Sequence, residues 1–376
     1  MSLLRRHTVV TGAYISFPFC AQKCTYCNFA SDVFPRDLIG PYVESLRAEI
    51  LGAAFPSEPD TLYLGGGTPS LLDRPELAAI LEYLPVKQWR EATIEAAPGT
   101  ITPERAAAWA SLGINRVSLG VQSFVPQVAR AAGRRHTPEQ VAAEIETLAR
   151  EGISNINIDL ISGLAHETAE TWETSLDWLV RLAPPHVSVY MLEVDDESRL
   201  GEELRSGGRR YGAGAVPPED DIADFYSHAI ERLREISVLQ YEISNFARPG
   251  CESAHNLKYW NMQPYIGFGA DAHSFDGERR WSNVESPAEY IDRTRTGSVR
   301  REVEEVDPGR RLQEKYFTGL RQIAGIQPSE SEIRPFQASI DNLTERGWLA
   351  WTPEGRLRLT TQGVMFSNEV FEQFIA

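Results

Sequence analysis

The stretch YISFPFCAQKCTYCNF, residues 14–29, carries three of the four cysteines in this chain. Cys20, Cys24 and Cys27 follow a C-x-x-x-C-x-x-C spacing, whereas Cys251 lies far away in the sequence. Three thiolates within so short a segment can bind three irons of a 4Fe–4S cluster and leave the fourth iron open. The spacing therefore predicts a cluster whose fourth iron takes its ligand from a small molecule.

A zinc site is the main alternative, because zinc binds the same sulfur ligands. Its fourth ligand would come from Cys251, His136 or His255. A disulfide framework does not fit three clustered cysteines. Buried core cysteines are also disfavoured, since polar residues such as Lys23 and Thr25 lie between the cysteines and suit a loop.

The composition is that of a globular protein with an acidic surface. The 376 residues include 37 basic and 53 acidic side chains, which gives a net charge of −16. This charge argues against nucleic acid as a partner, because nucleic acids bind basic surfaces. No apolar run approaches the length of a membrane span, and residues 1–17 are interpreted as the entry to a strand rather than a signal peptide. We therefore expect a cytoplasmic protein.

From residue 13 to about residue 240, β-rich runs alternate with helical segments. Thr102 and Thr137 each precede Pro-Glu and suit the N-cap position of a helix, and residues 217–236 begin with carboxylates and end with basic residues. Such alternation predicts a parallel sheet with helices outside it. The six β-rich runs lie at 13–19, 61–67, 92–98, 116–122, 155–163 and 186–194.

The positions of the polar residues decide between the two folds that six such units can build. Glu95, Gln122 and Asp159, the cysteine run and the sequence GGGTPS at 65–70 all lie late in a strand or just after one. A doubly wound sheet collects such residues at one crevice, whereas a β/α barrel gathers them from many strands at its carboxyl-terminal rim. We therefore predict an α/β fold, with an open, incomplete (β/α)6 barrel over residues 1–240.

Beyond the barrel the sequence changes in character. We expect a connecting segment over 241–300 and a small winged-helix-like α+β domain over 301–376. Residues 302–322 predict a helix, residues 348–360 alternate about a turn as a hairpin does, and 361–376 predict a closing helix. The hairpin carries only two arginines, so DNA binding is not expected.

Polar residues within otherwise apolar strands indicate a ligand. Glu95, Gln122 and Asp159 lie at equivalent strand positions and together favour a polar ligand with hydroxyls and an amino acid moiety. Arg134 could bind the carboxylate of that ligand, while Arg135 is better interpreted as a surface residue. The three glycines of GGGTPS either let a ligand approach the backbone or form a tight strand-to-helix turn.

Together these motifs resemble the radical S-adenosylmethionine (SAM) superfamily, and more narrowly its oxygen-independent coproporphyrinogen III oxidase group. The resemblance rests on CAQKCTYC, GGGTP, the strand around Glu95, LGVQSF and NIDLISGL, and it covers nearly the whole chain. It implies a 4Fe–4S cluster on Cys20, Cys24 and Cys27, with SAM bound to the fourth iron through its amino and carboxylate groups. It further implies a SAM site lined by Tyr14, Gly66, Gly67, Thr68, Glu95, Gln122, Arg134 and Asp159, with Tyr26 close to the cluster.

Within that group the sequence departs from the true oxidases. Those carry a fourth cysteine two residues after the third, where this chain has Phe29. They also carry a long extension before the cluster, where this chain has nineteen residues. The chain instead resembles relatives regarded as heme chaperones, which share an H-N-x-x-Y-W segment; here it is HNLKYW at 255–260.

This resemblance implies a protein of porphyrin metabolism that binds heme and passes it to heme-requiring recipient proteins, without coproporphyrinogen oxidase activity. His255 is the first candidate for a heme contact, since imidazole is a common ligand of heme iron; Cys251 and His273 are the others. A homodimer and peripheral contact with membrane hemoproteins remain open. The alternatives are SAM-dependent oxidative decarboxylation of coproporphyrinogen III and a radical SAM reaction on another tetrapyrrole.

Overall fold

The structure is a computed structural model that describes residues 11–27, 30–55, 57–86, 88–208 and 210–375. Phe29, which separates the sequence from the oxidases, lies outside the described residues, and so do the first ten residues of the expected strand entry. Among the helices that the structure describes, none combines the length and the apolar character needed to cross a membrane.

Six parallel strands form the centre of the main sheet and are neighbours in chain order. They are β1 (Thr11–Phe17), β2 (Pro59–Gly66), β3 (Glu91–Ala96), β4 (Arg116–Gln122), β5 (Asn155–Ser162) and β6 (His186–Met191). Each overlaps one of the six β-rich runs, so the predicted strands are confirmed. The first and last of these strands each have a different outer neighbour rather than each other. The sheet is therefore open, as predicted for an incomplete barrel.

Helices lie between these strands and after the last of them. They are α1 (Ile39–Gly52), α2 (Arg74–Leu81), α3 (Pro103–Ser111), α4 (Pro126–Ala131), α5 (Pro138–Arg150), α6 (Ala169–Leu182), α7 (Arg199–Ser206) and α8 (Glu219–Glu235). The predicted N-caps are confirmed: the Thr102 hydroxyl accepts a hydrogen bond from Arg105 N–H, and the Thr137 hydroxyl accepts one from Gln140 N–H. Each satisfies a backbone donor that the first helical turn leaves free.

Residues after α8 add strands to both edges of the same sheet. These elements are β7 (Leu239–Gln240), β8 (Asn245–Ala247), α9 (Ala254–Trp260), β9 (Tyr265–Phe268), β10 (His273–Phe275), β11 (Arg279–Asn283), α10 (Pro287–Thr296) and β12 (Arg300–Glu305). β8 pairs with β6, and β9 runs parallel to β1 on its other side. The region 241–300, expected as a connecting segment, thus supplies strands to a sheet ordered β12-β11-β10-β9-β1-β2-β3-β4-β5-β6-β8-β7.

The remaining residues form several helices around a two-stranded hairpin. They are α11 (Pro308–Gly319), α12 (Glu330–Ile333), α13 (Gln337–Glu345), β13 (Leu349–Trp351), β14 (Leu357–Leu359), α14 (Thr361–Met365) and α15 (Ser367–Glu372). The predicted hairpin is confirmed by the antiparallel pairing of β13 and β14. The single closing helix predicted over 361–376 is instead two short helices.

The prediction of a helix over the whole of 302–322 was wrong at its start. Residues 302–305 belong to β12, which pairs antiparallel with β11. The helix begins only after Asp307, whose carboxylate accepts hydrogen bonds from the N–H groups of Gly309 and Arg310. This cap and Pro308 fix the helix start, and the charged residues before it form an edge strand that is exposed along its whole length.

Alternation along the strands separates an apolar outer face from a polar inner face. Ala13, Ile15 and Phe17 of β1 are fully buried in the core formed with the helices. Tyr14 faces the other way and stacks on Tyr63 of β2, with ring centroids 6.1 Å apart. The other strands also place polar residues on the inner face: Thr93, Glu95, Ser118, Asn157, Asp159, Ser188 and Tyr190. The interior of the barrel is therefore polar.

Candidate functional site

The cysteine run forms a loop at the carboxyl-terminal end of β1. Cys20 N–H donates a hydrogen bond to Asp32 O (2.9 Å), and Leu200 N–H of α7 donates one to Thr25 O (2.9 Å). The Thr25 hydroxyl donates to Ala131 O at the end of α4 (3.1 Å). Elements that are distant in the sequence therefore hold the loop in place.

The three thiols of this loop lie in one small region. None of the four cysteines of the chain forms a disulfide bond. Burial raises the pKa of Cys20, hydrogen bonds from Ser31 and Thr68 lower it, and the charges of Cys27 and Cys24 raise it again. Among the described residues, no three His, Cys, Asp or Glu side chains form a ready-made metal site. The set of three sulfur donors on one loop fits an iron–sulfur cluster.

The glycine turn after β2 packs directly against the segment that leads into the cysteine loop. Gly67 N–H donates to Phe17 O (2.7 Å), and Thr68 N–H donates to Phe19 O (2.9 Å). A Cβ at Gly67 would lie 2.7 Å from Phe19 O, and Gly66 has a φ of +104°. Only glycine allows so close an approach together with that backbone conformation. At Gly67 the close contact is thus between two protein segments, and it orients the cysteine loop.

Two partly buried carboxylates face the interior at this end of the barrel. Glu95 accepts a hydrogen bond from the Tyr63 hydroxyl (2.9 Å). Burial raises the pKa of Glu95 to about 7, although the Tyr63 hydrogen bond lowers it, and the nearby Asp159 raises it further. Asp159 accepts hydrogen bonds from the Ser118 hydroxyl (3.1 Å) and the Asn157 amide (2.7 Å). Carboxylates perturbed in this way are common at binding and catalytic sites.

Arg134 and Gln122 reach the same end of the barrel. A Cβ at Gly120 would lie 3.1 Å from Arg134 Nη2 and 3.2 Å from Gln122 Nε2, so glycine there leaves room for both side chains. Of the residues that the structure describes, Arg134 Nε and Gln122 Oε1 are buried without a hydrogen-bond partner. Buried polar atoms normally have one, and these two therefore fit a site for a polar ligand.

The other residues predicted for the site lie around this group. Burial raises the pKa of Tyr26, and the charge of Arg134 lowers it, which places Tyr26 of the cysteine loop beside the guanidinium. Burial also raises the pKa of Tyr14, and the charges of Glu95 and Asp271 raise it further. The eight residues predicted to line the SAM site therefore lie on the inner face of the barrel or in the loops at its carboxyl-terminal end, and Tyr26 lies in the cysteine loop. Arg135 is exposed.

Two tyrosines that face the same interior were missed from the sequence. Tyr63 hydrogen-bonds to Glu95, and Tyr190, which is 42% exposed, lies near Asp159. A signal existed: each lies two residues from another inward-facing polar residue, Thr61 for Tyr63 and Ser188 for Tyr190. Every second residue of a strand faces the same side of the sheet. The positions of Thr61 and Ser188 therefore predict that both tyrosines face the interior.

The HNLKYW segment forms α9, which lies across the opposite, amino-terminal end of the barrel. Glu91, the first residue of β3, accepts hydrogen bonds from the N–H groups of Ala254 and His255 (both 2.9 Å). Lys258 forms a salt bridge of 2.7 Å with Asp60 at the start of β2. Strands rise about 3.3 Å per residue, so the length of β1 separates this helix from the cysteine loop by roughly 20 Å.

His255 is enclosed in this position. Its Nδ1 lies 2.9 Å from the Thr61 hydroxyl and its Nε2 lies 2.8 Å from the Tyr259 hydroxyl, and the residue is 0% exposed. Burial lowers its pKa to about 3, and the charges of Lys258 and Arg116 lower it further. Both ring nitrogens are therefore occupied, and this arrangement counts against His255 as a ligand of heme iron.

The other two heme candidates lie at opposite ends of the barrel. Cys251 is partly buried in the turn before α9, where its N–H donates to Arg248 O (2.9 Å). His273 begins β10, is exposed and lies near the carboxyl-terminal end of β1. The zinc alternative loses support, because Cys251 and His255 are far from the cysteine loop. His136 is buried, with its Nε2 3.2 Å from Ser123 O.

Comparison with known proteins places this geometry in a family. Residues 14–179 match the family model described as the radical SAM superfamily. Proteins named heme chaperone HemW are similar over nearly full length. The protein from Lactococcus lactis is 34% identical over 97% of both chains, and that from Escherichia coli is 30% identical over 96% of this chain and 97% of its own.

A solved structure has the same fold. It is the coproporphyrinogen III oxidase HemN of Escherichia coli, a radical SAM enzyme, which superposes with a TM-score of 0.83. The match covers 97% of this chain and 90% of that one, at 20% sequence identity, so it establishes the fold alone. By the sequence identity to its relatives, the chain belongs to the radical SAM superfamily and, within it, to the family of proteins named heme chaperone HemW.

Proposed function

We propose that this protein is a heme chaperone of the radical SAM type, which binds heme and transfers it to heme-requiring recipient proteins. The observation that carries the proposal is the similarity to proteins named heme chaperone HemW, at 34% identity over 97% of both chains in the case of Lactococcus lactis. The chain also contains the H-N-x-x-Y-W segment of this subfamily at 255–260.

The proposal includes a 4Fe–4S cluster bound by Cys20, Cys24 and Cys27. Support comes from the three cysteines on one loop, none of which forms a disulfide bond, and from the match to the radical SAM family model. A cluster held by three thiolates leaves one iron open to a ligand from a small molecule. None of the four cysteines forms a disulfide bond, which suits the reducing conditions of the cytoplasm, the compartment that we propose.

SAM is the proposed ligand of the polar end of the barrel. Arg134 would pair with its carboxylate, since a guanidinium binds carboxylates in a bidentate manner. Glu95 and Asp159 would accept hydrogen bonds from its amino group and hydroxyls. The buried atoms Arg134 Nε and Gln122 Oε1, which have no hydrogen-bond partner among the described residues, support a polar ligand here.

The proposed partners are heme and the hemoproteins that receive it. The net charge of −16 disfavours nucleic acid. A homodimer and peripheral contact with membrane hemoproteins belong to the proposal as ways in which heme would be handed over. We expect the cluster and SAM to control these steps rather than to decarboxylate coproporphyrinogen III.

One experiment tests the function against the enzymatic alternative. The protein is reconstituted anaerobically with iron and sulfide, and one sample is divided between a heme titration and an assay of coproporphyrinogen III with SAM and a reductant. Stoichiometric heme binding without formation of protoporphyrinogen IX is expected. Multiple turnovers of coproporphyrinogen III would instead identify an oxidase, and a sample that binds no heme would exclude the chaperone.

A further inference from the structure

A continuous chain of hydrogen bonds crosses the interior of the barrel, from the proposed SAM site to the start of α9. The Asn157 amide nitrogen lies 2.7 Å from Asp159 Oδ1, and the Asn157 amide oxygen lies 2.7 Å from His186 Nδ1. The other ring nitrogen of His186, Nε2, lies 2.9 Å from the Tyr241 hydroxyl. That hydroxyl accepts a hydrogen bond from the N–H group of Ser253 (3.2 Å), the N-cap residue of α9. Four segments of the chain thus connect a carboxylate of the proposed SAM site with the helix at the opposite end of the barrel.

The middle of this hydrogen-bonded chain is shielded from solvent. His186 is 0% exposed and Asn157 is 3% exposed. Burial lowers the pKa of His186 well below its usual value of 6.5, and the charge of Arg116 lowers it further, so the imidazole is neutral at neutral pH. A neutral imidazole has one nitrogen that donates and one that accepts. The hydrogen bonds through His186 therefore run in one of two directions.

The α9 end of the chain sets this direction. A backbone N–H group can only donate, so the Tyr241 oxygen accepts from Ser253. Among the described residues, the other partner of the Tyr241 hydroxyl is His186 Nε2, and the tyrosine proton therefore points to that nitrogen. Because Nε2 accepts, the ring proton of His186 lies on Nδ1 and is donated to the Asn157 oxygen.

The Asp159 end requires the same direction. A carboxylate accepts hydrogen bonds, so the amide group that faces it is the NH2 of Asn157, and the opposite orientation would place two oxygens 2.7 Å apart. The Asn157 oxygen then faces His186 and needs a donor on Nδ1. The same NH2 group lies 2.8 Å from the oxygen of Ser118, whose hydroxyl donates to the second oxygen of Asp159. Asn157 thus holds the carboxylate both directly and through Ser118.

We propose that His186 and Tyr241 are positioning residues of the SAM site, which act through Asn157 to hold the Asp159 carboxylate in the orientation that receives the ligand. This inference rests on the proposed function, in which Asp159 contacts SAM, and it adds two residues that lie outside the predicted lining of the site. The start of the H-N-x-x-Y-W helix supplies the backbone donor that fixes the direction of the chain. That helix therefore contributes to the SAM site from the far end of the barrel.

The first test determines which nitrogen of His186 carries the proton. The full-length protein is labelled with isotope-enriched histidine, and the NMR shifts of the two ring nitrogens identify the tautomer. The signals of His186 are those that are missing from His186→Asn. A neutral ring with its proton on Nδ1 is expected, and Tyr241→Phe should shift the Nε2 signal because that nitrogen loses its donor. A proton on Nε2 overturns the inference, and an unchanged Nε2 signal in Tyr241→Phe removes Tyr241 from it.

The second test measures whether the chain affects ligand binding. In His186→Asn the amide nitrogen can replace Nδ1 as the donor to Asn157, whereas His186→Leu has no donor. The SAM affinity of the reconstituted protein, measured by calorimetry, should fall about tenfold in His186→Leu and remain within about twofold in His186→Asn. If His186→Leu does not fold, His186→Gln replaces it, because its longer side chain places the amide near the Nε2 position instead.

A matched control separates positioning from loss of stability. The Tyr226 hydroxyl donates to Ile243 O, in the same segment as Tyr241 but outside the chain of hydrogen bonds. Tyr226→Phe should lower the melting temperature and leave both the SAM affinity and the His186 signals unchanged.

The outcomes also distinguish this inference from the proposed function. If folded His186→Leu binds SAM as tightly as the unmodified protein does, His186 has only a structural role and the inference fails, while the SAM site stands. An equal loss of affinity in His186→Asn and His186→Leu would mean that the donor on Nδ1 is not the cause, which also overturns it. If the unmodified protein has the expected tautomer but binds no SAM, the proposed function fails, and the positioning role fails with it.

Discussion

Tyr63 donates a hydrogen bond to Glu95 across the inside of the barrel, with 2.9 Å between the two oxygen atoms. The Tyr63 ring also lies against two other rings, those of Tyr14 (6.1 Å between centroids) and His255 (5.4 Å). Packing against these rings therefore holds the Tyr63 hydroxyl in place, and its hydrogen bond in turn orients the Glu95 carboxylate. Burial raises the pKa of Glu95 to about 7, and this hydrogen bond is the largest effect that opposes the rise.

The first prediction follows from this hydrogen bond. Tyr63→Phe removes the donor, so the pKa of Glu95 should rise further and less of the carboxylate is ionised at neutral pH. SAM affinity should then fall several-fold near pH 7 and recover at higher pH. Calorimetric titration with SAM at a series of pH values measures this shift. The control is Tyr83→Phe, in the turn after α2 and remote from the barrel interior. A pH profile identical to that of the unmodified protein would mean that Glu95 does not contact SAM.

A second prediction concerns stability. The folded-state pKa of Glu95, about 7, lies above its ordinary value of 4.5, so the unfolded chain loses this proton first as the pH rises. The carboxylate therefore destabilises the protein increasingly from pH 4.5 to pH 7 and fully above that. Glu95→Gln should raise the free energy of unfolding by about 3 kcal/mol above pH 7, and by little at acid pH. Thermal unfolding of the ligand-free protein on both sides of this range tests the sign; equal effects at both would contradict it.

The third prediction concerns the cluster. Replacing Cys20, Cys24 or Cys27 by serine should remove most of the iron, the sulfide and the brown absorbance after anaerobic reconstitution. Cys251→Ser is the control and should retain all three, because Cys251 lies at the other end of the barrel. Iron and sulfide analysis with visible spectroscopy measures the outcome. A colourless protein with one bound zinc would reject the cluster.

The glycine turn gives a fourth prediction. Gly67→Ala puts a Cβ 2.7 Å from Phe19 O, a backbone atom that cannot move without moving the cysteine loop. Iron content after reconstitution should therefore fall together with SAM affinity. The control is Gly214→Ala, where a Cβ would meet no atom of the described residues within 4 Å. If Gly67→Ala loses SAM affinity but keeps its full iron content, the glycine serves the ligand rather than the loop.

A fifth prediction concerns the H-N-x-x-Y-W segment. His255→Ala leaves the buried hydroxyls of Thr61 and Tyr259 without their imidazole partner, which should lower the free energy of unfolding by about 2–4 kcal/mol. The Soret band of bound heme should stay unchanged. Urea unfolding and a heme titration on the same variant measure both properties. A shifted Soret band at unchanged stability would make His255 the iron ligand after all.

The barrel could be predicted because short stretches of the sequence indicate its strands and helices. A short β-rich run indicates each of the six strands, and a cap such as Thr102 or Thr137 indicates where a helix starts. The carboxyl ends of parallel strands meet at one rim, so Glu95, Gln122 and Asp159 could be brought together from strand positions alone. The cysteine spacing then indicated the chemistry of the same rim.

The remaining features of the fold and of the site depend on contacts between residues that are far apart in the sequence. The Thr61 and His255 side chains meet although they are 194 residues apart, and no periodicity reports such a contact. For the same reason, the sequence could not show that β9 lies beside β1 or that α9 covers the amino-terminal end of the barrel. The glycine turn illustrates a different limit: its composition requires a close approach but does not say whether a ligand or the Phe17–Phe19 backbone makes it.

The position of α9 also sets the order in which the protein can be completed during synthesis. Asp60 and Glu91 are synthesised early. Lys258, which pairs with Asp60, and the first N–H groups of α9, which bond to Glu91, leave the ribosome about 160 residues later or more. Until then the nascent barrel has an uncovered end, Asp60 has Arg90 but not Lys258 as a partner, and Glu91 lacks the N–H groups of α9. Closure by such long-range contacts is slow and exposes intermediates. We therefore expect chains that stop before residue 254 to be prone to aggregation, although they contain every residue of the cysteine loop and of the proposed SAM site.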